Sequence, residues 1–125
     1  MISIVDDDPF VREATKGLIS SLGFAAEAFA SAEEFLQSCR ACDTSCLILD
    51  VNMRGLGGIA LQSLLNARGQ QTPIIFITAF PEERIRTRVL DAGAVGFLTK
   101  PFKEESLIKH LNIALNRSAD SSKLS

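Results

Sequence analysis

The sequence predicts an α/β domain built on a doubly wound parallel sheet of five strands. Five short apolar runs recur along the chain, each followed by a segment of helical character, at Ile2–Val5, Phe24–Phe29, Cys46–Val51, Pro73–Thr78 and Val95–Thr99. The third and fourth runs are apolar at consecutive positions, which is the pattern of strands covered on both faces. Alternating strands and helices imply right-handed crossovers, which place helices on both sides of the sheet.

Local motifs predict where three of the helices begin. Asp8 precedes a proline, a combination that indicates a helix cap followed by the first helical residue. The segment from Ser31 to Glu34 matches a capping box, in which the Glu34 carboxylate reaches back to the Ser31 amide. Pro81, followed by two glutamates, predicts the first turn of a helix that runs to Ala92.

Length and composition indicate one domain without a membrane segment. The chain has 125 residues, of which 46% are hydrophobic and 22% charged, and its net charge of −2 gives no electrostatic case for nucleic-acid binding. The start lacks a basic leader and no apolar run is long enough to span a bilayer, so we expect a cytoplasmic protein with no membrane partner. The polar end predicts a domain over residues 1–116 and a linker or disordered tail over 117–125.

Three cysteines, Cys39, Cys42 and Cys46, lie within one short segment. Their odd number and close spacing argue against a secreted disulfide framework, and the spacing matches no common zinc pattern. A closed zinc site needs four ligands, whereas the only histidine, His110, is distant in sequence and is interpreted as structural or surface. We therefore expect no metal at the cysteines and interpret Cys46 as a core residue.

Polar residues end four of the predicted strands. Asp6 and Asp7 close the first, Asp50 comes near the end of the third, Thr78 ends the fourth and Lys100 follows the fifth. In an open parallel sheet these carboxyl ends form the edge that binds ligands. Any one of these residues could be an ordinary turn residue, but their position at equivalent ends of four strands predicts one common site.

These residue types together favour phosphoryl chemistry. Three aspartates brought together would repel one another unless a cation joined them, and Mg²⁺ (or Mn²⁺) prefers oxygen ligands of this kind. An aspartate such as Asp50 can then act as a nucleophile and form an acyl phosphate. Lys100 would neutralise charge on the transferred oxygens, and Thr78 would donate its hydroxyl to one of them.

The same residues resemble the receiver domains of two-component response regulators. The resemblance covers about residues 2–116 and depends on Val-Asp-Asp-Asp at 5–8, Leu-Asp-Val-Asn-Met at 49–53, Ile-Thr-Ala at 77–79 and Lys-Pro-Phe at 100–102. The stretch 92–102 is most similar to regulators of the nitrogen-fixation and LuxR types. The resemblance implies a flavodoxin-like sheet with strand order 2-1-3-4-5 and five helices.

The resemblance also implies a role for each metal-site residue. Asp50 would be the phosphoacceptor and one of the metal ligands, and Asp7 would bind Mg²⁺ directly. Asp6 would act through a metal-bound water, and Asn52 would offer its backbone carbonyl. One departure is Arg54, which stands where many relatives have proline and adds a charge near the site.

Further roles concern the response to phosphorylation. By the resemblance, Thr78 and Lys100 would hold the phosphoryl oxygens, and Phe97 would be the aromatic switch residue that turns inward. The Lys100–Pro101 peptide bond is expected to be cis. Phe80, which is bulky and lies two residues after Thr78, gives the hypothesis that its side chain screens the acyl phosphate from water.

The function implied is a signalling switch rather than an enzyme with a separate substrate. It would accept phosphate from a sensor histidine kinase or phosphotransfer protein and relay a conformational change to transcriptional output through a C-terminal DNA-binding effector domain absent from this chain. The resemblance also allows for a homodimer through the face of helix 4, strand 5 and helix 5. A phosphorylation-independent interaction module stays open as an alternative. An aspartate-nucleophile phosphatase is disfavoured, because its second aspartate is replaced by Asn52.

Overall fold

The computed structural model describes residues 1–38 and 44–124. Within them the strands are β1 (Ile2–Val5), β2 (Ala26–Phe29), β3 (Cys46–Asp50), β4 (Ile74–Thr78) and β5 (Gly96–Thr99). The helices of the described residues are α1 (Pro9–Ser21), α2 (Ala32–Gln37), α3 (Gly58–Ala67), α4 (Glu83–Asp91) and α5 (Glu104–Leu124). Each apolar run of the sequence contains one strand, so the predicted alternation is confirmed.

All neighbouring strands of the sheet are parallel, in the order β2-β1-β3-β4-β5. The flavodoxin-like order implied by the resemblance is therefore confirmed. Val5 lies opposite Leu49, Leu49 opposite Phe76, and Phe76 opposite Phe97. This register brings the carboxyl ends of β1, β3, β4 and β5 to one edge of the sheet, where the candidate residues follow.

The sheet separates two apolar cores. On one side, side chains of β1, β3 and β4 pack against Phe35 of α2, Leu61 of α3 and Val89 of α4. On the other side, Ile19 of α1 and Leu107 of α5 cover the opposite faces of the same strands. Because β3 and β4 are buried on both faces, their continuous apolar sequence is explained.

The predicted helix starts are confirmed at α1 and, with one change, at α2. Asp8 caps α1 by accepting a hydrogen bond from the amide of Phe10 at 2.9 Å. Ser31 Oγ accepts from the Glu34 amide at 3.0 Å, as the capping box predicts. The Glu34 carboxylate, however, accepts from the amide of Ala30 at 3.4 Å. It reaches one residue further back than expected, and still ties the helix start to the preceding chain.

The prediction for the start of α4 was two residues early. The helix begins at Glu83, and Glu82 is its cap with an extended backbone (φ −127°, ψ 130°). Pro81 therefore precedes the cap instead of occupying the first turn. Glu82 makes no side-chain capping hydrogen bond, so this end of α4 is held by fewer local contacts than the start of α1.

The backbone of α5 continues past residue 116 to Leu124, through the segment for which the sequence predicts a linker or tail. No glycine or proline interrupts residues 104–124, so nothing local ends the helix. The domain boundary at 116 stays a prediction. In the described part of the chain, no helix combines the length and the apolar character needed to cross a membrane.

Cys46 begins β3 and is fully buried, as a core residue should be. Burial raises the pKa of the Cys46 thiol to about 12, so the thiol stays protonated at neutral pH. Cys39 and Cys42 lie outside the described residues.

Candidate functional site

Backbone hydrogen bonds extend the sheet one residue beyond two strands and fix where the polar side chains begin. The amide of Asp6 donates to the carbonyl of Phe29 at 3.1 Å, and that of Lys100 donates to the carbonyl of Thr78 at 2.7 Å. Asp50 is the last residue of β3 and lies opposite Ile77, one residue before Thr78. The site is thus positioned by the sheet itself, which favours precise geometry.

The ammonium group of Lys100 joins two buried carboxylates. Lys100 Nζ lies 2.9 Å from Asp6 Oδ2 and 3.3 Å from Asp50 Oδ2. The Asp6 side chain is fully buried, and its Oδ1 accepts a hydrogen bond from the amide of Asp8 at 2.9 Å. The sequence prediction that Asp6, Asp50 and Lys100 meet at one edge agrees with this geometry.

Asp7 completes an acidic cluster at the rim. One oxygen from each of Asp6, Asp7 and Asp50 lies within 4.8 Å of the others. Among the described residues, Asp6 Oδ2 is the buried side-chain oxygen that accepts no well-aligned hydrogen bond, although Lys100 is close. A hard cation that takes oxygen ligands fits this donor set, because it would neutralise the clustered charges.

The charges are not balanced without such a cation. Burial, and then the charge of Asp6, raise the pKa of Asp50 to about 6, against the opposing effect of Lys100. Burial alone would lower the pKa of Lys100, but the close contacts with the negatively charged Asp6 and Asp50 outweigh it and leave that pKa raised. Perturbed carboxyl groups of this kind are typical of functional sites.

The Thr78 hydroxyl is at the end of β4, the strand next to that of Asp50. Thr78 Oγ1 accepts hydrogen bonds from the side-chain amide of Asn52 at 3.3 Å and from the backbone amide of Phe80 at 3.1 Å. Its own proton therefore remains available to an acceptor. The side chain of Phe80 is 75% exposed and, with Asn52, lines a cavity of about 510 Å³ between β3, α3 and the start of α4.

Phe97, the expected switch residue, lies in the middle of β5 and is partly buried. It lines a second cavity, of about 250 Å³, together with Glu82 and Glu83 at the start of α4. The Lys100–Pro101 peptide bond is cis, as the resemblance implies. Both cavities thus adjoin the start of α4, since Glu82 lines each of them.

Two positions near the site were not singled out from the sequence. Arg12 of α1 donates from Nη1 to the backbone carbonyl of Asp6 at 3.0 Å. Glu33 of α2 accepts a hydrogen bond from the amide of Leu56 at 3.2 Å, in the loop that follows Asp50. The contact between Glu33 and Leu56 joins residues 23 positions apart, and no local sequence pattern predicts such a pairing.

This sheet order, with an aspartate pair, a buried aspartate, a threonine and a lysine at its carboxyl edge, defines a receiver-type signalling domain. The family model described as response regulator receiver domain matches residues 2–112. The chain belongs to this family, whose members are signalling domains and not enzymes in the usual sense.

Relatives of the chain are response regulators. It is 42% identical over 115 residues to the response regulator protein TodT of Pseudomonas putida, covering 92% of this chain and 51% of that protein. It is 34% identical over 119 residues to the transcriptional regulatory protein FixJ of Azorhizobium caulinodans, covering 95% of this chain and 56% of that one. The chain thus spans about half the length of these relatives.

Solved structures agree with this family. The response regulator StyR superposes with a TM-score of 0.91 at 39% identity, covering 98% of this chain and 62% of that one. The crystal structure of FixJ-N gives a TM-score of 0.82 at 31% identity, covering 92% of each chain. The resemblance to receivers of the nitrogen-fixation type is therefore confirmed, since FixJ appears among both relatives and structures.

Proposed function

We propose that this chain is a phosphorylation-dependent switch of a two-component system, in which Asp50 accepts a phosphoryl group with the help of Mg²⁺. The observation that carries the proposal is the contact of Lys100 with both Asp6 and Asp50, beside the rim carboxylate of Asp7. An acidic pocket with one ammonium group can hold a divalent cation and a phosphoryl group together.

Asp6, Asp7 and Asp50, with the backbone carbonyl of Asn52, are the residues proposed to hold the cation, which would be Mg²⁺ or Mn²⁺. The bound cation would supply positive charge next to the transferred oxygens. Arg12 supports this arrangement from behind, because its hydrogen bond to the Asp6 carbonyl fixes the chain where the acidic pair begins.

Asp50 is proposed as the nucleophile. Its carboxylate is oriented by the amide of Asn52, which donates to Oδ1 at 3.2 Å, and by Lys100 near Oδ2. A new bond forms between an Asp50 oxygen and phosphorus, while the bond from phosphorus to the donor nitrogen or oxygen breaks and its electrons leave with the donor. Lys100 and the Thr78 hydroxyl then hold phosphoryl oxygens.

The relay is proposed to begin when Thr78 turns toward the phosphoryl group. It would leave the amides of Asn52 and Phe80, and the ring of Phe97 would move inward into the space that opens. The two cavities that Glu82 lines would give the start of α4 room to move as well. A local charge change would then alter a surface that a partner can read.

The proposed phosphate donor is a sensor histidine kinase or phosphotransfer protein in the cytoplasm. Because the chain spans about half of relatives such as FixJ, whose name denotes transcriptional regulation, we propose a DNA-binding output domain that residues 117–125 would connect. A homodimer through α4, β5 and α5 is the proposed form of the active state.

The experiment that tests the proposal is intact mass after incubation with acetyl phosphate and Mg²⁺. We expect the gain of one phosphoryl group, lost in Asp50→Ala or when the cation is chelated, and retained in Asp91→Ala, which removes an exposed aspartate of α4. Absence of any gain in the unsubstituted chain would instead favour the phosphorylation-independent interaction module.

A further inference from the structure

The loop that follows β3 is held by three carboxylates from three different parts of the chain. The amide of Asn52 donates to Asp50 Oδ1, that of Arg54 to Asp7 Oδ2 and that of Leu56 to Glu33 Oε1, each at 3.2 Å. Alternate backbone amides thus point to acidic side chains, and the loop is fixed without a helix or strand of its own. Two of the three carboxylates, Asp50 and Asp7, belong to the acidic cluster, whereas Glu33 lies outside it.

We propose that Glu33 is a positioning residue for the cation site, because it holds the loop at Leu56 when Asp7 and Asp50 turn toward a bound cation. The inference depends on the proposed function, since it assigns a role in the same site. A carboxylate oxygen that binds a cation is a poorer acceptor for a backbone amide. The hydrogen bonds from the amides of Arg54 and Asn52 would therefore weaken when a cation binds. The hydrogen bond from the Leu56 amide to Glu33 would not compete with the cation, because Glu33 lies outside the acidic cluster.

The backbone conformation at Gly55 and the capped start of α2 both allow the contact of Glu33 with the loop. Gly55 has a positive φ of +74°, and a methyl group at this position would lie 2.7 Å from Glu33 Oε2. Only glycine both adopts that backbone conformation readily and leaves room for the carboxylate. Glu33 is in the first turn of α2, whose start is fixed by the hydrogen bonds of Ser31 and Glu34.

Holding the loop matters because it begins at Asn52, whose backbone carbonyl is a proposed ligand. A loop that is already ordered loses less conformational entropy when the cation binds. Without Glu33, that ordering must take place during binding, and the affinity for Mg²⁺ falls. A net effect of about threefold to tenfold corresponds to one ordinary hydrogen bond, because exposure to solvent removes the extra strength that a charged acceptor gives.

Variants at Glu33 separate the hydrogen bond from the negative charge. Glu33→Gln keeps the length of the side chain and an oxygen acceptor but removes the charge, whereas Glu33→Asp keeps the charge but is one methylene too short. If position is what matters, Gln binds Mg²⁺ nearly as the unsubstituted chain does, and Asp behaves like Ala. Glu34→Gln is the control for charge, because it removes a neighbouring charge of the same helix turn while its side-chain oxygen can still accept from the Ala30 amide.

The experiment combines Mg²⁺ titration by calorimetry with hydrogen exchange of the backbone amides by NMR. We expect Glu33→Ala to weaken Mg²⁺ binding threefold to tenfold and to speed exchange at Leu56, with a larger difference at this amide when Mg²⁺ is present. Glu34→Gln should leave both readings unchanged. Normal Mg²⁺ affinity in Glu33→Ala would overturn this inference alone, as would rescue by Asp in place of Gln. A complete lack of Mg²⁺ binding in the unsubstituted chain would overturn the proposed function as well.

Discussion

Gly58 offers a sharp test of how closely α3 packs on the candidate acceptor. It is buried at the first position of α3, and its amide donates to the carbonyl of Val51 at 3.1 Å. A methyl group at Gly58 would collide with the backbone carbonyl oxygen of Asp50 and lie 3.1 Å from the Val51 Cα. These are backbone atoms that cannot rotate away, so α3 or the end of β3 must move.

The magnitude of the Gly58→Ala effect follows from that collision. Overpacking a well-packed site costs about 1–3 kcal/mol, and the collision with backbone places this case near the upper end. Alanine recovers about 0.5–1 kcal/mol through its helix propensity and the lower entropy of the unfolded chain. We expect a net loss of about 2 kcal/mol in the free energy of unfolding, measured by urea denaturation. Because the collision displaces the backbone of Asp50, phosphorylation of this residue by acetyl phosphate should slow as well.

The adjacent Gly57 supplies the matched control. A methyl group there would meet only the Val51 carbonyl oxygen, at 3.6 Å, and its φ of −75° suits alanine. Gly57 is the cap of α3, where alanine is less favourable than glycine, so Gly57→Ala should cost no more than about 1 kcal/mol and should leave phosphorylation unaltered. Equal stability of the two variants would refute the reasoning, because the sequence change is the same and only the methyl group at Gly58 meets the Asp50 carbonyl.

Three further substitutions probe other contacts of the site. Gly96→Ala would press a methyl group against the His110 ring, 2.8 Å from its Nε2, so we expect the free energy of unfolding, measured by urea denaturation, to fall by about 1–2 kcal/mol. The same substitution should cost less in a His110→Ala background, where the ring is absent. Additive losses in the double variant would contradict this explanation. The pKa of Asp50, about 6 in place of 3.8, means that the native state takes up a proton that the unfolded state lacks, and stability falls as the pH rises between these values. Asp50→Asn should therefore stabilise the chain without Mg²⁺ at pH 7.5, by at most about 3 kcal/mol, and should have little effect at pH 4. Equal gains at both pH values would argue against this explanation. Phe80→Ala removes a residue that is 75% exposed, so the free energy of unfolding should change by no more than about 0.5 kcal/mol. The phosphorylated form should decay about threefold faster, as followed by mass spectrometry over time. An unchanged lifetime would contradict the hypothesis that Phe80 screens the acyl phosphate.

The strands and the site residues could be predicted because their signals are local and physical. The continuous apolar sequence of β3 and β4 reflects burial on both faces, and these strands could be placed within one residue. Since the edge of a parallel sheet gathers the residues that follow its strands, Asp6, Asp50 and Lys100 could be expected to meet once the strands were placed. The strand order itself came from the resemblance, because apolar patterns do not say which strands are neighbours.

Contacts between distant segments were beyond the reach of the sequence. Glu33 and Glu34 are the same residue type at adjacent positions. Glu33 nevertheless accepts from the amide of Leu56 in the loop after β3, whereas Glu34 accepts from the amide of Ala30. The choice depends on where α2 lies relative to that loop, which only the packed structure fixes. The start of α4 shows a second limit, since Pro81 can stand in the first turn or before the cap, and the preceding chain decides which.

The position of Lys100 explains why the proposed chemistry needs both an ammonium group and a cation. Before phosphorylation Lys100 lies between Asp6 and Asp50, nearer to Asp6, so one positive charge serves two buried carboxylates. A phosphoryl group on Asp50 would bring further negative charge of roughly 1.5–2 units and draw the ammonium group toward its oxygens. Asp6, fully buried, would then lose much of its compensation, which is unfavourable unless another positive charge replaces it. A cation held by Asp7 at the rim would meet that need and leave the ammonium group of Lys100 to the phosphoryl oxygens. Lys100→Ala should therefore impair phosphoryl retention even where Mg²⁺ is saturating.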